Sequence, residues 1–281
     1  MIDKTSNPQL SFLVIGTFRA GTSWLQSVFV EHPEIFVPHE KELFYFTHNH
    51  YRGIEWYFNF YKNVNETYKH IGEICPAYLS DPQAPSRIRS ELGDIKIIAI
   101  LRNPFDQIVS MYQHHIIRGE EDMPFEKAVI ENRKYLNNIM YAEHIQNYRN
   151  LFSSENLLIL FFDDFTMDPK KFLSKIFLFL DVEYMYCNKF NEKINKSGKS
   201  KIKVLDNAIS RAGEFLRKND LYFLKQKIKD TGVVDFIKKH NRKGEKTQTS
   251  HRYPEEVVVR INSEIKNLEQ TMRCDLSAWT R

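Results

Sequence analysis

The stretch Ser11-Phe-Leu-Val-Ile-Gly-Thr-Phe-Arg-Ala-Gly-Thr-Ser23 decides the fold, because it joins an apolar run to a turn bounded by glycines. The run from Ser11 to Ile15 is rich in β-forming residues and predicts a buried parallel strand. Apolar residues then recur at helical spacing, which predicts a helix from Thr22 to Glu31. Gly16 and Gly21 therefore bound a turn between a strand and a helix.

Sequence patterns that predict strands alternate along the chain with patterns that predict helices. Apolar runs predict further strands at residues 69–74, 95–101 and 156–162. Helical periodicity predicts helices at residues 53–61, 81–92, 104–117, 125–132, 139–151, 170–180 and 254–272. Such alternation is typical of βαβ units. The expected fold class is α/β, with a P-loop-type parallel sheet flanked by helices on both faces.

The composition is that of an ordinary globular protein, with 42% hydrophobic and 27% charged residues. A net charge of +4 is too small to indicate a nucleic-acid partner, but it suits a basic pocket for a polyanion. Cys75, Cys187 and Cys274 have neither zinc-site nor disulfide-framework spacing, which favours a reducing compartment. The sequence shows no signal peptide and no apolar run near the roughly 20 residues of a membrane span. We expect a cytoplasmic protein.

The turn from Gly16 to Gly21 has the spacing of a phosphate-binding loop. Backbone N–H groups and a helix N-terminus form an anion cradle there, and the Thr22 and Ser23 hydroxyls add donors. Thr22 replaces the Lys of nucleotide kinases, and Arg102 stands where an ATPase often carries a Mg²⁺-organising Asp. The loop is therefore expected to hold phosphate by fixed cations and backbone dipoles, without a metal.

A second candidate phosphate site is formed by Arg102 and Ser110. Arg102 follows a predicted strand, at the carboxyl edge where open α/β sheets bind ligands. Ser110 lies two turns into the next helix, on the side that faces the strand end. A guanidinium with a hydroxyl suits a terminal phosphate. Either residue alone could be an ordinary surface residue, but both fall on the same sheet edge as the loop.

These segments together resemble the sulfotransferases that use 3′-phosphoadenosine 5′-phosphosulfate (PAPS), in particular their bacterial and glycan-type branch. The 5′-phosphosulfate loop of that family is similar to Arg19-Ala-Gly-Thr-Ser-Trp-Leu25, and its 3′-phosphate motif is similar to Leu101-Arg-Asn-Pro104 with Ser110. Further similar segments follow in family order, namely His32-Pro33, Lys41-Glu-Leu-Phe-Tyr-Phe46, Glu73-Ile-Cys-Pro-Ala-Tyr78, Phe162-Asp-Asp-Phe165 and Asp275-Leu-Ser-Ala-Trp279. The resemblance implies a metal-free PAPS-dependent sulfotransferase (EC 2.8.2 type), which releases adenosine 3′,5′-bisphosphate.

The resemblance also implies which residues bind the cofactor. The 5′ end would lie against Arg19, Ala20, Gly21, Thr22 and Ser23, with Trp24 either beside the adenosine or in the core. The 3′-phosphate would lie against Arg102 and Ser110, and Phe162 near the adenine. Ser197-Gly198-Lys199 is similar to a late 3′-phosphate loop, although the segment could equally be a solvated linker. We therefore expect one domain over residues 1–281, in which residues 10–185 form the nucleotide-binding core and residues 186–281 complete the cofactor site.

Two catalytic roles follow from the same resemblance. Arg19 occupies the usual Lys position of the family's loop and would stabilise charge on the leaving phosphate. Glu42 would be the general base, unless Lys41 and Glu42 are only a solvated charge pair. Alternative bases are found nearby in the sequence, at His39, His48 and His50.

The acceptor is expected to be a hydroxyl, most simply that of a saccharide or glycoconjugate. A lipid, a polyketide or another small hydroxylated metabolite is the alternative acceptor. Lys41, Glu73 and Tyr78 are the candidate acceptor contacts. The aromatic residues at positions 44–46, 56–58 and 61 form either an acceptor wall or core packing. Two other readings are a small-molecule kinase and a non-enzymatic module that binds adenine nucleotides.

Overall fold

The computed structural model describes residues 8–185 and 251–281, together with isolated positions between them (199–200, 212–213, 215–216, 228, 231 and 242–243). In these residues a parallel sheet of five strands has the spatial order β2-β3-β1-β4-β5. The strands are β1 (Phe12–Gly16), β2 (Ile35–Phe36), β3 (His70–Ile74), β4 (Lys96–Leu101) and β5 (Leu157–Phe161). This is the α/β architecture that the sequence predicts.

Helices cover both faces of the sheet. They are α1 (Thr22–Phe29), α2 (Ile54–Phe58), α3 (Ala84–Leu92), α4 (Pro104–Arg118), α5 (Phe125–Glu131), α6 (Lys134–Asn137), α7 (Tyr141–Arg149), α8 (Phe162–Met167), α9 (Pro169–Leu180) and α10 (Glu255–Met272). Alternate residues of β1 enter two different hydrophobic clusters: Phe12 and Val14 pack with α1 and α9, whereas Leu13 and Ile15 pack with α3, α4 and α10. This two-sided burial explains why β1 is apolar throughout.

The strand register brings the carboxyl ends of the strands to one edge. β1 lies between β3 and β4, so the chain changes direction across the sheet there. Leu101 of β4 pairs with Phe161 of β5, and Gly16 of β1 pairs with Ala99 of β4. The residues that follow these strands therefore meet at the edge where open α/β sheets bind ligands.

The start of α4 is set by local capping. The Asn103 side chain accepts a hydrogen bond from the Phe105 N–H at 3.0 Å, and Pro104 occupies the first helical position. Arg102 is thereby held in the short connection between β4 and α4. A side-chain cap followed by a proline, here Asp168 and Pro169, also starts α9.

Two predicted parts of the cofactor site, the Ser197–Lys199 loop and residues 186–281, lie partly outside the described residues. Ser197 and Gly198 are outside the described residues. For Lys199 only the backbone is described, and it pairs antiparallel with Lys243. The completion of the cofactor site by residues 186–281 stays a prediction. Of the helices that the structure describes, none is both long and apolar enough to cross a membrane.

Candidate active site

The loop between β1 and α1 depends on its two glycines. A Cβ on Gly16 would lie 2.6 Å from the Cβ of Leu79, so no larger residue fits. Gly21 caps α1 with φ 80°, and a Cβ there would lie 3.2 Å from Cε2 of Phe162. Within the described part of the chain no side chain caps α1. The first N–H groups of this helix are thus available to an anion.

A lysine from outside the loop reaches the N-terminus of α1. The Lys41 ammonium donates to Thr22 Oγ1 and to Ser23 Oγ, both at 3.1 Å, and lies 3.1 Å from Glu42 Oε1. The Lys41 and Glu42 side chains are 19% and 29% exposed, so both are accessible from solvent. The structure therefore brings the proposed base, a cation and two hydroxyls to one point.

Two arginines meet on the other side of the loop. Arg19 Nε donates to Ser110 Oγ at 3.0 Å, and Arg102 Nη1 donates to the Arg19 carbonyl oxygen at 2.7 Å. Burial lowers the pKa of both guanidiniums, and the charge of Arg102 lowers the pKa of Arg19 further. Neither arginine takes part in the ion pairs found among the described residues. Two such cations side by side favour an anionic ligand.

Buried polar residues that the sequence analysis does not single out support this arrangement. Gln107 Nε2 donates to Thr17 Oγ1 at 2.6 Å, which ties the loop to α4. The Tyr141 hydroxyl donates to the Arg102 carbonyl oxygen at 3.0 Å and contacts the Gln107 side chain. A glutamine between Phe105 and Ile108 on the apolar face of α4 is the sequence signal that could have revealed this contact.

The two candidate aromatic residues have different surroundings. The Phe162 ring lies 4.9 Å from the Arg102 guanidinium carbon and also faces Gly21, so it belongs to the site. Trp24 is only 5% exposed, and its ring centre lies 4.5 Å from that of Phe165. Of the two possibilities for Trp24, the structure favours the core. Ala20, in the loop itself, is also buried.

His114 is a site neighbour that its sequence context does not reveal, since it reads there as a residue on a helix surface. It lies one turn after Ser110 on α4 and is half-buried. Burial and the charges of Arg19 and Arg118 lower its pKa to about 4, so its imidazole is neutral at pH 7. The spacing of four residues from Ser110 is the available sequence signal, because such pairs share a helix face.

Glu73 and Tyr78 are both in the core, which corrects the expectation that they contact the acceptor. Glu73 is 1% exposed and Tyr78 is fully buried. Glu73 Oε2 accepts from the hydroxyls of Tyr57 and Tyr78, both at 2.8 Å, and Oε1 accepts from the Leu43 N–H at 2.8 Å. Since Leu43 follows Glu42 directly, this carboxylate supports the segment that carries the proposed base.

The aromatic residues near this carboxylate are mainly core. Tyr45, Phe46, Tyr57 and Tyr61 are each at most 1% exposed, which favours packing over an acceptor wall. Of the alternative bases, His50 is bound to Glu91 of α3 at 2.5 Å. The rings of His48 and Phe44 pack against each other, and His39 is exposed.

The site as a whole fits a nucleotide with two phosphate groups. One anion position lies at the N-terminus of α1, with Thr22, Ser23 and Lys41. The other lies between the loop and α4, with Arg19, Arg102 and Ser110. Within residues 8–185 and 251–281, acidic, histidine and cysteine side chains do not gather in groups of three or more that could hold a metal ion.

The family of the chain follows from its match to known proteins. Residues 10–255 match the family model described as the sulfotransferase domain, so the chain belongs to this family and is a sulfotransferase. The expected class of enzyme is thereby confirmed.

Curated relatives match over part of their length. The chain is 35% identical over 108 residues to the membrane-associated sulfotransferase kil1 of Dictyostelium discoideum, a match that covers 38% of this chain and 23% of that protein. It is 30% identical over 207 residues to the bifunctional heparan sulfate N-deacetylase/N-sulfotransferase 4 of Mus musculus, with 66% and 24% covered. The chain thus spans about a quarter of the length of these relatives.

A solved structure has the same fold over nearly the whole chain. The sulfotransferase from Alicyclobacillus acidocaldarius superposes with a TM-score of 0.69 and 20% identity, covering 98% of this chain and all of that one. At this identity the likeness concerns the fold, and it confirms the predicted α/β class.

Proposed function

We propose that the enzyme transfers the sulfuryl group of PAPS to an acceptor hydroxyl of a saccharide or glycoconjugate, with Glu42 as the general base. One observation carries the proposal. The Lys41 ammonium joins the Glu42 carboxylate to the Thr22 and Ser23 hydroxyls at the N-terminus of α1. A base and an anion cradle are therefore adjacent and both open to solvent.

Each part of the proposed reaction is assigned to particular residues of the chain. PAPS supplies an activated sulfuryl group, and its transfer leaves negative charge on a phosphate oxygen. The α1 N–H groups, the two hydroxyls and Lys41 would stabilise that charge, because they are donors already in place. Arg102 and Ser110 would hold the 3′-phosphate. Glu42 would accept the proton that the acceptor hydroxyl loses on attack.

A saccharide acceptor is supported by two features. The Lys41-Glu42 segment resembles that of glycan sulfotransferases, and its carboxylate is accessible from solvent. The mouse relative is named as an enzyme of heparan sulfate. Ile74 stands where glycan enzymes often carry Lys, and it is 1% exposed at the end of β3. A weakly charged saccharide therefore suits this chain better than a highly anionic one.

The test is a transfer assay with sulfur-labelled PAPS and an acceptor panel of saccharides, hydroxylated lipids, polyketides and amino sugars. Glu42→Gln should lower the transfer rate by roughly 100-fold or more, because a general base contributes that much. Its affinity for adenosine 3′,5′-bisphosphate should stay within roughly twofold, because the Glu42 carboxylate does not donate a hydrogen bond to phosphate. Glu66→Gln, at an exposed position, is the matched control. An active Glu42→Gln enzyme would remove Glu42 from the mechanism, and a preference for lipids or amines would replace the proposed acceptor.

A further inference from the structure

We propose that Asn49 is a positioning residue for Glu42, whose carboxylate it holds beside the N-terminus of α1 by fixing the backbone of Leu43. Asn49 lies directly before the short 3₁₀ helix His50–Arg52. The inference rests on the proposed function, in which Glu42 is the general base. It adds a residue that would set the rate of transfer without touching the substrate or the cofactor.

The backbone that carries the base has an uncommon conformation. Glu42 has φ 62° and Phe44 has φ 56°, and residues other than glycine seldom adopt this left-handed region. Between them, Leu43 is only 2% exposed, so its side chain anchors the segment in the core. Residues 41–44 belong to neither a helix nor a strand. Specific contacts must therefore hold this conformation in place of a regular hydrogen-bond ladder.

Asn49 supplies two of the hydrogen bonds that hold this backbone. Its Nδ2 donates to the Leu43 carbonyl oxygen at 2.8 Å, and its backbone N–H donates to the Phe44 carbonyl oxygen at 3.0 Å. The Leu43 N–H donates to Glu73 Oε1 at 2.8 Å. Three successive peptide groups that follow the base are thus each held by a hydrogen bond.

Loss of the Asn49 amide would leave the Leu43 carbonyl without this donor. Glu42 and Phe44 could then relax toward the negative φ values that such residues prefer. A change in the sign of φ at Glu42 would turn its side chain away from Lys41, which lies 3.1 Å from the carboxylate. A reacting group displaced by about 1 Å can lose roughly 100-fold in rate. The contribution of Asn49 is therefore expected in kcat.

The first test measures transfer from sulfur-labelled PAPS together with nucleotide affinity. Asn49→Ala removes the amide, and Asn49→Asp keeps its volume but not its donor. Both variants should lower kcat by roughly tenfold to 100-fold. Both should bind adenosine 3′,5′-bisphosphate within roughly twofold of the wild type in calorimetry, since Asn49 bonds to the segment of the base. Added to Glu42→Gln, Asn49→Ala should cause no further loss, because it acts through Glu42.

Asn156→Ala is the matched control. The Asn156 amide also donates to a backbone carbonyl oxygen, that of Asp94 at 2.9 Å, directly before β5 and at the opposite edge of the sheet from the loop. This variant should keep the wild-type kcat.

A second readout needs no acceptor. In both Asn49 variants, hydrogen–deuterium exchange of the peptide that covers residues 41–46 should become roughly tenfold faster, because the segment opens more often. Exchange in β1 should stay unchanged.

Wild-type rates in the Asn49 variants, or unchanged exchange of residues 41–46, would overturn the inference. An active Asn49→Asp enzyme beside a slow Asn49→Ala enzyme would also overturn it, because the effect would then come from packing. A further loss in the double variant would show that Asn49 acts apart from Glu42, and loss of nucleotide binding in both variants would show a general structural role. A fully active Glu42→Gln enzyme would instead remove the proposed base, whatever the Asn49 variants show.

Discussion

Glu73 is a buried carboxylate whose role is structural rather than catalytic. It accepts hydrogen bonds from Tyr57, Tyr78 and the Leu43 N–H. Burial nevertheless raises its pKa to about 7, since these donors offset only part of the desolvation. The residue beneath the Lys41-Glu42 segment therefore titrates near neutral pH.

This titration predicts how stability depends on pH. The folded protein binds the Glu73 proton more tightly than the unfolded chain does, because the pKa rises from 4.5 to about 7 on folding. The contribution of this proton to the free energy of unfolding is therefore complete below pH 4.5 and is lost as pH rises through 7. The contribution is about 3 kcal/mol. Glu73→Gln should remove this part of the slope in urea unfolding measured across that range. The exposed variant Glu66→Gln should keep it, and an unchanged slope in Glu73→Gln would contradict the raised pKa.

The direction of single side chains is what the sequence could not predict. The position after a strand predicted Arg102 and Ser110 as site residues, and the family resemblance predicted Arg19 and Lys41. Spacing does not show that Lys41 turns to Thr22, or that Arg19 turns to Ser110 across 91 residues of sequence. The sequence does not predict the burial of Glu73 for the same reason. A polar residue at the end of a strand has the same sequence pattern whether its side chain faces solvent or the core.

Among the elements, those with strong local patterns were predicted well. The strand–turn–helix at β1 and α1 was found within a few residues, because glycines and apolar periodicity mark its ends. β2 was not predicted, since it has only two residues and exists through pairing of Ile35 with His70 of β3. α8 was also missed, because it starts directly where β5 ends and has no separate start signal.

The turn at Gly21 gives a prediction at the scale of this element. Gly21→Ala should destabilise the protein by about 2 kcal/mol, because alanine is disfavoured at φ 80° and its Cβ would press on Phe162. Affinity for adenosine 3′,5′-bisphosphate should also fall, since Phe162 lies against Arg102. Gly119→Ala is the control, because Gly119 is exposed, has φ 69° and ends α4 away from the loop. It should cost about 1 kcal/mol and leave binding unchanged. Equal effects of both variants on binding would show that the Phe162 contact is unimportant.

In the whole molecule, the segment after α10 packs against the cofactor edge of the sheet. The Trp279 indole N–H donates to Asp163 Oδ2 at 2.5 Å, and Arg281 forms an ion pair with Asp106 at 3.5 Å. Burial lowers the pKa of Arg102, whereas the charges of Asp106 and Asp163 raise it. Residues distant in sequence thus engage two carboxylates that act on Arg102. Local patterns could mark the Asp275–Trp279 motif, but not this contact across 116 residues.

This packing predicts an indirect effect of Trp279 on nucleotide binding. Trp279→Phe keeps an aromatic ring against Phe161 but removes the N–H donor, so the Asp163 carboxylate is freed to compete with phosphate for Arg102. We expect calorimetry to show roughly threefold to tenfold weaker binding of adenosine 3′,5′-bisphosphate. Adding Asp163→Asn to this variant should restore the affinity, because the competing charge is gone, and Asp163→Asn alone should bind at least as tightly as the wild type. If the double variant stays as weak as Trp279→Phe, the indole acts through packing alone and the carboxylates do not govern Arg102.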